Sequence, residues 1–427
     1  MLKPAVSMCA LLLGRVDRRL LIAIAIHIPV CIAALVLEAT LNNEYRIAFD
    51  PGRTNLLIFA VSFPFFGVVF LLADFSFGYL ISYQFYVMIG GFLWLNYFTD
   101  LKYDHAVAAL SAAASGIAFI LPALFLKIDI NPPRISSDIL LDRFLYLVLS
   151  AAAFTVIFGS IHNLKFTTLQ NADDIRSRGE ILLPTAVRYA VGITSNSLLP
   201  FVFARFVGKK LYLRAAIIIL LLACFYPITL SKTSFFTPAW LVFIAVLSRL
   251  FEPRLISVLF LLLPMSLGLI STVLPVSPYI FRLLDHRMYF VPANALAIYN
   301  DFFSQHVPTY FCQVNVIKIV FGCPYGELGP LFKEIYSQGN YNASLFATEG
   351  IASVGAKFAP LAVLFCSLVV VFASAASRRL PPSLVMTSSS VLPFIFLNVP
   401  FSVTMLSSGA AILFLLWYLT PSETARG

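Results

Sequence analysis

Long apolar runs separated by short polar connections recur along almost the whole chain. No charged residue falls between Arg254 and Arg282, nor between Arg379 and Glu423. A bilayer core about 30 Å thick takes about 20 apolar residues per helix. On that measure the runs predict about twelve helices, near 20–38, 55–73, 78–98, 106–126, 143–161, 183–204, 211–229, 235–249, 255–275, 350–376, 383–398 and 402–419. The eighth is short. Only Asn398-Val399-Pro400 separates the last two, so that pair could be one broken re-entrant element. Arg18 and Arg19 stand before a long apolar run, which reads as a retained first helix and not as a cleavable signal. The expected fold class is therefore all-α, a polytopic membrane bundle forming a single integral domain over 1–427.

Composition agrees. Hydrophobic residues make up 60% of the 427-residue chain and charged residues 11%, against about a quarter charged in soluble domains. The net charge of +9 is spread over short loops with no aromatic-interleaved basic patch, so nucleic acid is not an expected partner. The distribution of that charge says more. Counting alternately from the N-terminus, one side collects Lys3, Arg15, Arg18, Arg19, Lys127, Arg134, Arg143, Arg205, Lys209, Lys210, Arg214, Arg249, Arg254, Arg378, Arg379 and Arg426. The positive-inside rule then puts both termini in the cytoplasm. Two hydrophilic segments fall outside, 162–182 and the much larger 276–349. Loops this long are uncommon unless they work. The second carries apolar patterning at Phe281, Leu284, Met288, Val291, Leu296 and Phe303, as short helices near the membrane surface would. Of the six cysteines, Cys9, Cys31, Cys224 and Cys366 sit in apolar runs, whereas Cys312 and Cys323 share the large loop. A disulfide between them is an option if that loop is external.

Several basic residues stand at external helix ends: Arg176, Arg178, Arg188, Lys232, Arg282, Arg287 and Lys357. Any one of them is explained by snorkelling to the interface. Converging from several elements they would form an electropositive pocket suited to phosphate oxygens, which a guanidinium holds bidentately. The external acids Asp173, Asp174, Glu180, Asp285, Asp301, Glu327, Glu334 and Glu349 include candidates for a general base toward a sugar hydroxyl. The sequence does not choose among them.

Three motifs occur in order: Ser231-Lys232-Thr233-Ser234-Phe235; Asp285-His286-Arg287-Met288-Tyr289-Phe290-Val291-Pro292-Ala293, continuing to Tyr299 and Phe302-Phe303-Ser304; and Asn340-Tyr341-Asn342-Ala343-Ser344-Leu345-Phe346-Ala347-Thr348-Glu349-Gly350, with Gly355 beyond. Over roughly 180–376 this order resembles the bacterial oligosaccharide repeat unit polymerases, the O-antigen polymerases of the Wzy type, which share their architecture with the O-antigen ligases. The resemblance implies a GT-C-like bundle with large periplasmic loops in the bacterial inner membrane. It implies inverting transfer of a glycan from undecaprenyl diphosphate onto the sugar of a fresh lipid-linked unit, with no metal and no cofactor. The expected partners are undecaprenyl diphosphate-linked oligosaccharides, membrane lipids and a polysaccharide chain-length regulator.

Carried over residue by residue, the resemblance places the family's functional basic residues at Lys232 and Arg287. These are expected to neutralise the diphosphate; from the basic residues at the external face, Arg178 and Arg188 are expected to assist, with Arg176, Arg282 and Tyr289 as further candidate substrate contacts. Asn340 and Asn342 would bond sugar hydroxyls or simply shape a turn. Glu349 would act as base or acceptor-positioning group, or else cap a helix. The ligases begin their last motif with His-Asn; this chain has Asn340-Tyr341-Asn342. That departure favours polymerase over ligase and leaves the base open, with His286 and His306 as substitutes outside the motif. A lipid-linked glycan flippase or other transporter is the rival from another class, although the spans show no internal repeat of the kind alternating-access carriers display. A scaffold of an export complex is a third reading.

Overall fold

Every regular element in the described residues is helical, apart from a lone antiparallel bridge between Ile47 and Thr99. The computed structural model describes residues 17–42, 45–50, 67–131, 138–169, 171, 175, 183–273, 279–337, 341 and 347–421. Among them, nine helices are long and apolar enough to cross a membrane. The protein is an all-α, multi-pass membrane helix bundle. Most of the expected span at 55–73 lies outside the described residues, as do Arg176, Arg178, Asn340, Asn342, Asp173, Asp174 and Glu180.

The spans are α1 (Arg18–Leu41), α2 (Phe77–Phe98), α3 (His105–Phe125), α4 (Asp138–His162), α5 (Thr185–Gly208), α6 (Tyr212–Thr229), α7 (Lys232–Leu250) and α8 (Pro253–Val273), with α13 (Ala359–Ser377) following later. Between α8 and α13 lie a continuous helix α9 over 279–305, then α10 (Asn315–Phe321), α11 (Leu328–Tyr336) and α12 (Ala347–Val354). After α13 come α14 (Pro382–Ser389), α15 (Leu392–Asn398), α16 (Phe401–Leu406) and α17 (Ala410–Leu419).

Three expected helices are broken. The one drawn at 350–376 ends at Val354 and restarts at Ala359. Gly355 takes φ +77°, and its N–H bonds the carbonyl of Ile351 at 2.9 Å. This is the left-handed glycine stop that a side chain would strain. The run at 383–398 divides at Ser390 and Val391, and the second helix starts at Leu392 with Pro393 in its first turn, where a proline's missing N–H costs nothing. The run at 402–419 divides at Gly409, also at φ +77°.

The chain forms two compact units. The first comprises Met1–Lys127, Arg254–Val371 and Phe396–Phe401; the second comprises Ile128–Pro253, Phe372–Ile395 and Ser402–Gly427. In the first unit α2 is the central helix. It is the least apolar of the nine spans and the most completely buried. Its Ser82, Tyr83, Gln84 and Asn96 are buried in protein, while α3 turns Leu110, Ile117 and Leu121 outward. Polar groups inside and apolar groups outside is the arrangement lipid demands, because a side chain facing hydrocarbon finds no water to bond. Helix α9 packs on α2, and α11 closes over α9 through Phe332, whose ring stands 4.8 Å from that of Tyr299 and 5.2 Å from that of Phe302. Helix α10 leaves Ile319, Val320 and Phe321 exposed. Cys312 and Cys323 are joined by a disulfide, with Cα atoms 5.2 Å apart. Thiol labelling of denatured protein is expected to modify these two only after reduction; equal labelling without reductant would rule the bond out.

In the second unit α5 holds a π-helical turn, Thr194–Leu198. Ser197 Oγ donates to the Ser408 carbonyl at 2.7 Å. A Cβ on Gly192 would overlap the Ser407 carbonyl oxygen, so glycine is what allows this approach. Trp240 and Trp417 donate their indole N–H groups to the Ser390 carbonyl and Ser388 Oγ, at 3.2 and 3.0 Å. The buried hydroxyls of Ser388, Ser389 and Ser390 themselves donate to carbonyls of Val385, Val385 and Thr387 in the preceding turn.

Candidate functional site

The second motif lies on α9, and the segment Arg282–Phe290, which carries its start, is π-helical. Pro292 explains the widened turn. It has no N–H to give, and its ring crowds the carbonyl of the preceding turn, so the ladder is relieved by i→i+5 bonding. Val291 N–H accordingly reaches the His286 carbonyl. The turn has two faces. Asp285, Tyr289 and Phe290 point inward and are buried, whereas Arg282 and Arg287 are exposed. The two arginines therefore present their guanidinium groups from one turn whose other side is fixed in the core.

The inner face is cut to fit. A Cβ on Gly268 of α8 would overlap Asp285 Oδ2. A Cβ on Gly91 of α2 would fall 2.9 Å from the Tyr289 ring. Asp285 is wholly buried, and neither carboxylate oxygen has a hydrogen-bond partner. Burial, reinforced by the Glu38 charge, pushes its carboxyl up to about 8. The Tyr289 hydroxyl lies beside the Cys31 thiol, and burial raises it well above the usual phenol range.

His286 is the hub of a second cluster. Its Nδ1 is 3.1 Å from Glu38 Oε1 and its Nε2 is 3.3 Å from the Tyr45 hydroxyl. Glu38 sits in the last turn of α1 and is fully buried; Asn42 Nδ2 donates to its other oxygen at 2.6 Å. A carboxylate can only accept, so the contact with Glu38 orients the ring with Nδ1 toward the carboxylate and Nε2 toward the Tyr45 hydroxyl. Phe290 stacks on the ring at 5.4 Å, and Tyr45 closes the cluster edge-on to Phe290 at 4.8 Å. Tyr45 is held by the strand-like pairing of 46–48 with 98–100, through Ala48 N–H to the Phe98 carbonyl at 2.8 Å and Asp100 N–H to the Arg46 carbonyl at 2.9 Å. His306, the other histidine considered, stacks on Phe302 at 4.0 Å and bonds the Phe302 carbonyl, so its place is in packing.

The third motif meets the second. Tyr341 is buried, takes a hydrogen bond from Asn294 at 2.9 Å, and accepts on its carbonyl from the Tyr299 hydroxyl at 3.3 Å. Glu349, in the first turn of α12, accepts the Phe401 N–H at 2.8 Å. Its carboxylate thus caps the start of α16, a different helix from its own. Burial raises the Glu349 carboxyl above the usual range. Asp301 is engaged by Lys102 N–H and the Tyr336 hydroxyl, each at 2.7 Å. Glu327 and Glu334 are exposed. Lys357 is exposed in the turn between α12 and α13.

Arg188 and Lys232 belong to the second unit. Arg188 is exposed in the first turn of α5. Lys232 is half-buried as the first residue of α7, after Leu230 in the left-handed region at φ 49°. The turn is tied by Thr229 Oγ1 to Ser234 Oγ at 3.0 Å and by Ser231 N–H to Thr229 Oγ1 at 3.2 Å. A cation at a helix N-terminus opposes the helix dipole, at a cost of about 0.3–1 kcal/mol.

Sequence reasoning missed Glu38. It lies in an apolar run far from every motif, and its one signal was an acid within a membrane span, where ionisable residues are rare and usually functional. Among the described residues no group of three or more His, Cys, Asp or Glu could hold a metal ion. Set against known proteins, the chain matches no protein-family model, no curated protein and no solved structure.

Proposed function

We propose that this chain is a membrane glycosyltransferase of GT-C-like architecture. It joins undecaprenyl diphosphate-linked oligosaccharide repeat units at the extracytoplasmic face of the bacterial inner membrane. The observation that carries the reading is the turn Arg282–Phe290, with two exposed arginines on one side and a locked, buried face on the other. Guanidinium groups outside the spans suit a lipid-borne diphosphate. They neutralise the charge that develops as it leaves, and the packed opposite face of their helix fixes the backbone that carries them. The disulfide in the same loop favours an oxidising compartment for it, which agrees with cytoplasmic termini under the positive-inside rule.

Purified protein supplied with a defined lipid diphosphate-linked oligosaccharide is expected to yield a ladder of longer lipid-linked glycans. Transfer to lipid A core instead would identify a ligase-like transferase. Movement of the substrate across vesicles without new glycosidic bonds would identify a flippase. Either result would replace the polymerase reading.

A further inference from the structure

We infer that His286 is the general base of this site, oriented by Glu38, an assignment that rests on the transferase function proposed above. Four observations converge on it. The ring lies next to Arg287 in the chain, on the turn that presents both arginines. Its Nδ1 is held by a fully buried carboxylate whose other oxygen is already occupied by Asn42, so Nδ1 is committed to Glu38 and Nε2 is turned away from it. The ring is clamped between Phe290 and Tyr45, at 5.4 Å from each. Its side chain keeps 16% of its surface exposed, where Glu38 keeps none. An oriented carboxylate, a held imidazole and an Nε2 engaged, among the described residues, only by the Tyr45 hydroxyl are the parts of an acid–base pair.

In the step itself, an acceptor hydroxyl takes the place at Nε2 now filled by the Tyr45 hydroxyl. Its oxygen attacks the anomeric carbon of the donor as the proton passes to Nε2. The bond from that carbon to the diphosphate oxygen breaks, and the electron pair leaves with the lipid diphosphate beside Arg282 and Arg287. The imidazolium so formed is stabilised by Glu38 and later returns its proton to water. Glu349 is differently placed: its carboxylate is buried and committed to the Phe401 N–H.

Other charges around the ring are few. Glu38 comes from α1 and Tyr45 from the segment after it. Arg282, Asp285 and Arg287 share its turn. Helix α2 carries tyrosines such as Tyr83 and Tyr86 but no charged residue, and α8 has none beyond Arg254 at its start.

The test is steady-state ladder formation by wild-type protein, His286→Gln and Glu38→Gln, with thermal melting to confirm folding. His286→Gln is expected to lower kcat about 100-fold, the scale of a lost general base. Glu38→Gln is expected to lower kcat with KM unchanged, and to move the acid limb of the kcat profile to lower pH, because the imidazolium has lost its counter-charge. A folded His286→Gln that keeps kcat within threefold of wild type overturns the assignment. So does a Glu38→Gln that loses rate while the acid limb stays in place, since a packing role alone would do that. If wild-type protein forms no ladder, the transferase reading falls and takes this assignment with it; if wild type ladders and the variants keep pace, only the base is wrong.

Discussion

Replacing Arg287 with alanine is expected to lower ladder formation by about 100- to 1,000-fold, the range seen when one fixed donor to a developing negative charge is removed. The melting temperature should not change. The two halves of this expectation come from the same geometry. Arg287 is exposed, and it makes no hydrogen bond or ion pair with another described residue. Removing it leaves no buried group unpartnered, and such surface substitutions stay within about 0.5 kcal/mol. Loss of rate without loss of fold would then point to the substrate. Arg287→Lys should recover only part of the rate, because an ammonium supplies charge without the bidentate fork. Quantified ladders and a melt of the same preparations decide it. Near wild-type laddering by Arg287→Ala would remove this residue from the site.

The second large effect concerns stability and is read without substrate. Asp285 sits in a notch made by the missing side chain of Gly268, with no partner for its carboxylate. Its carboxyl is pushed up to about 8 by burial, so the folded protein binds this proton more tightly than the unfolded chain does. The contribution is therefore fully present below the unfolded carboxylate value of about 3.9. It declines as pH rises and is gone above the folded value, at up to about 1.4 kcal/mol per pH unit across that window. Asp285→Asn removes the titrating group and keeps its shape. The variant is expected to melt with wild type near pH 4 and several degrees above it at pH 8, the difference growing steadily between. Coincident melting curves at both pH values would show that the carboxyl is not held neutral. Gly268→Ala should destabilise the fold at every pH, since its Cβ would overlap the Asp285 carboxylate and displace it.

The long spans were legible because each needs only its own composition. Eight of the helices drawn from apolar runs between 20 and 275 have described counterparts within a few residues of the expected ends. The broken helices were harder. The run at 350–376 reads as one span despite Lys357, and the left-handed backbone at Gly355 divides it into a short helix and a span. The site divides the same way. Arg287 and Tyr289 could be named from a motif and Arg282 from its place at a helix end, but which of them face inward is a property of the π-helical turn. The Cys312–Cys323 option was visible as two cysteines sharing a loop, and pairing them took the fold.

What the sequence determines by itself is the solvent of this protein and the order of its spans, because burial of about 20 apolar residues in lipid is a local matter of length and charge. What only the tertiary structure decides is the company kept by its few ionisable groups. Glu38 and His286 are 248 residues apart, and Asp285 fits because α8 lacks one Cβ. Such meetings depend on which helix faces pack together, and lipid gives no local signal for them. An apolar residue is equally at home against a tail or a neighbouring helix.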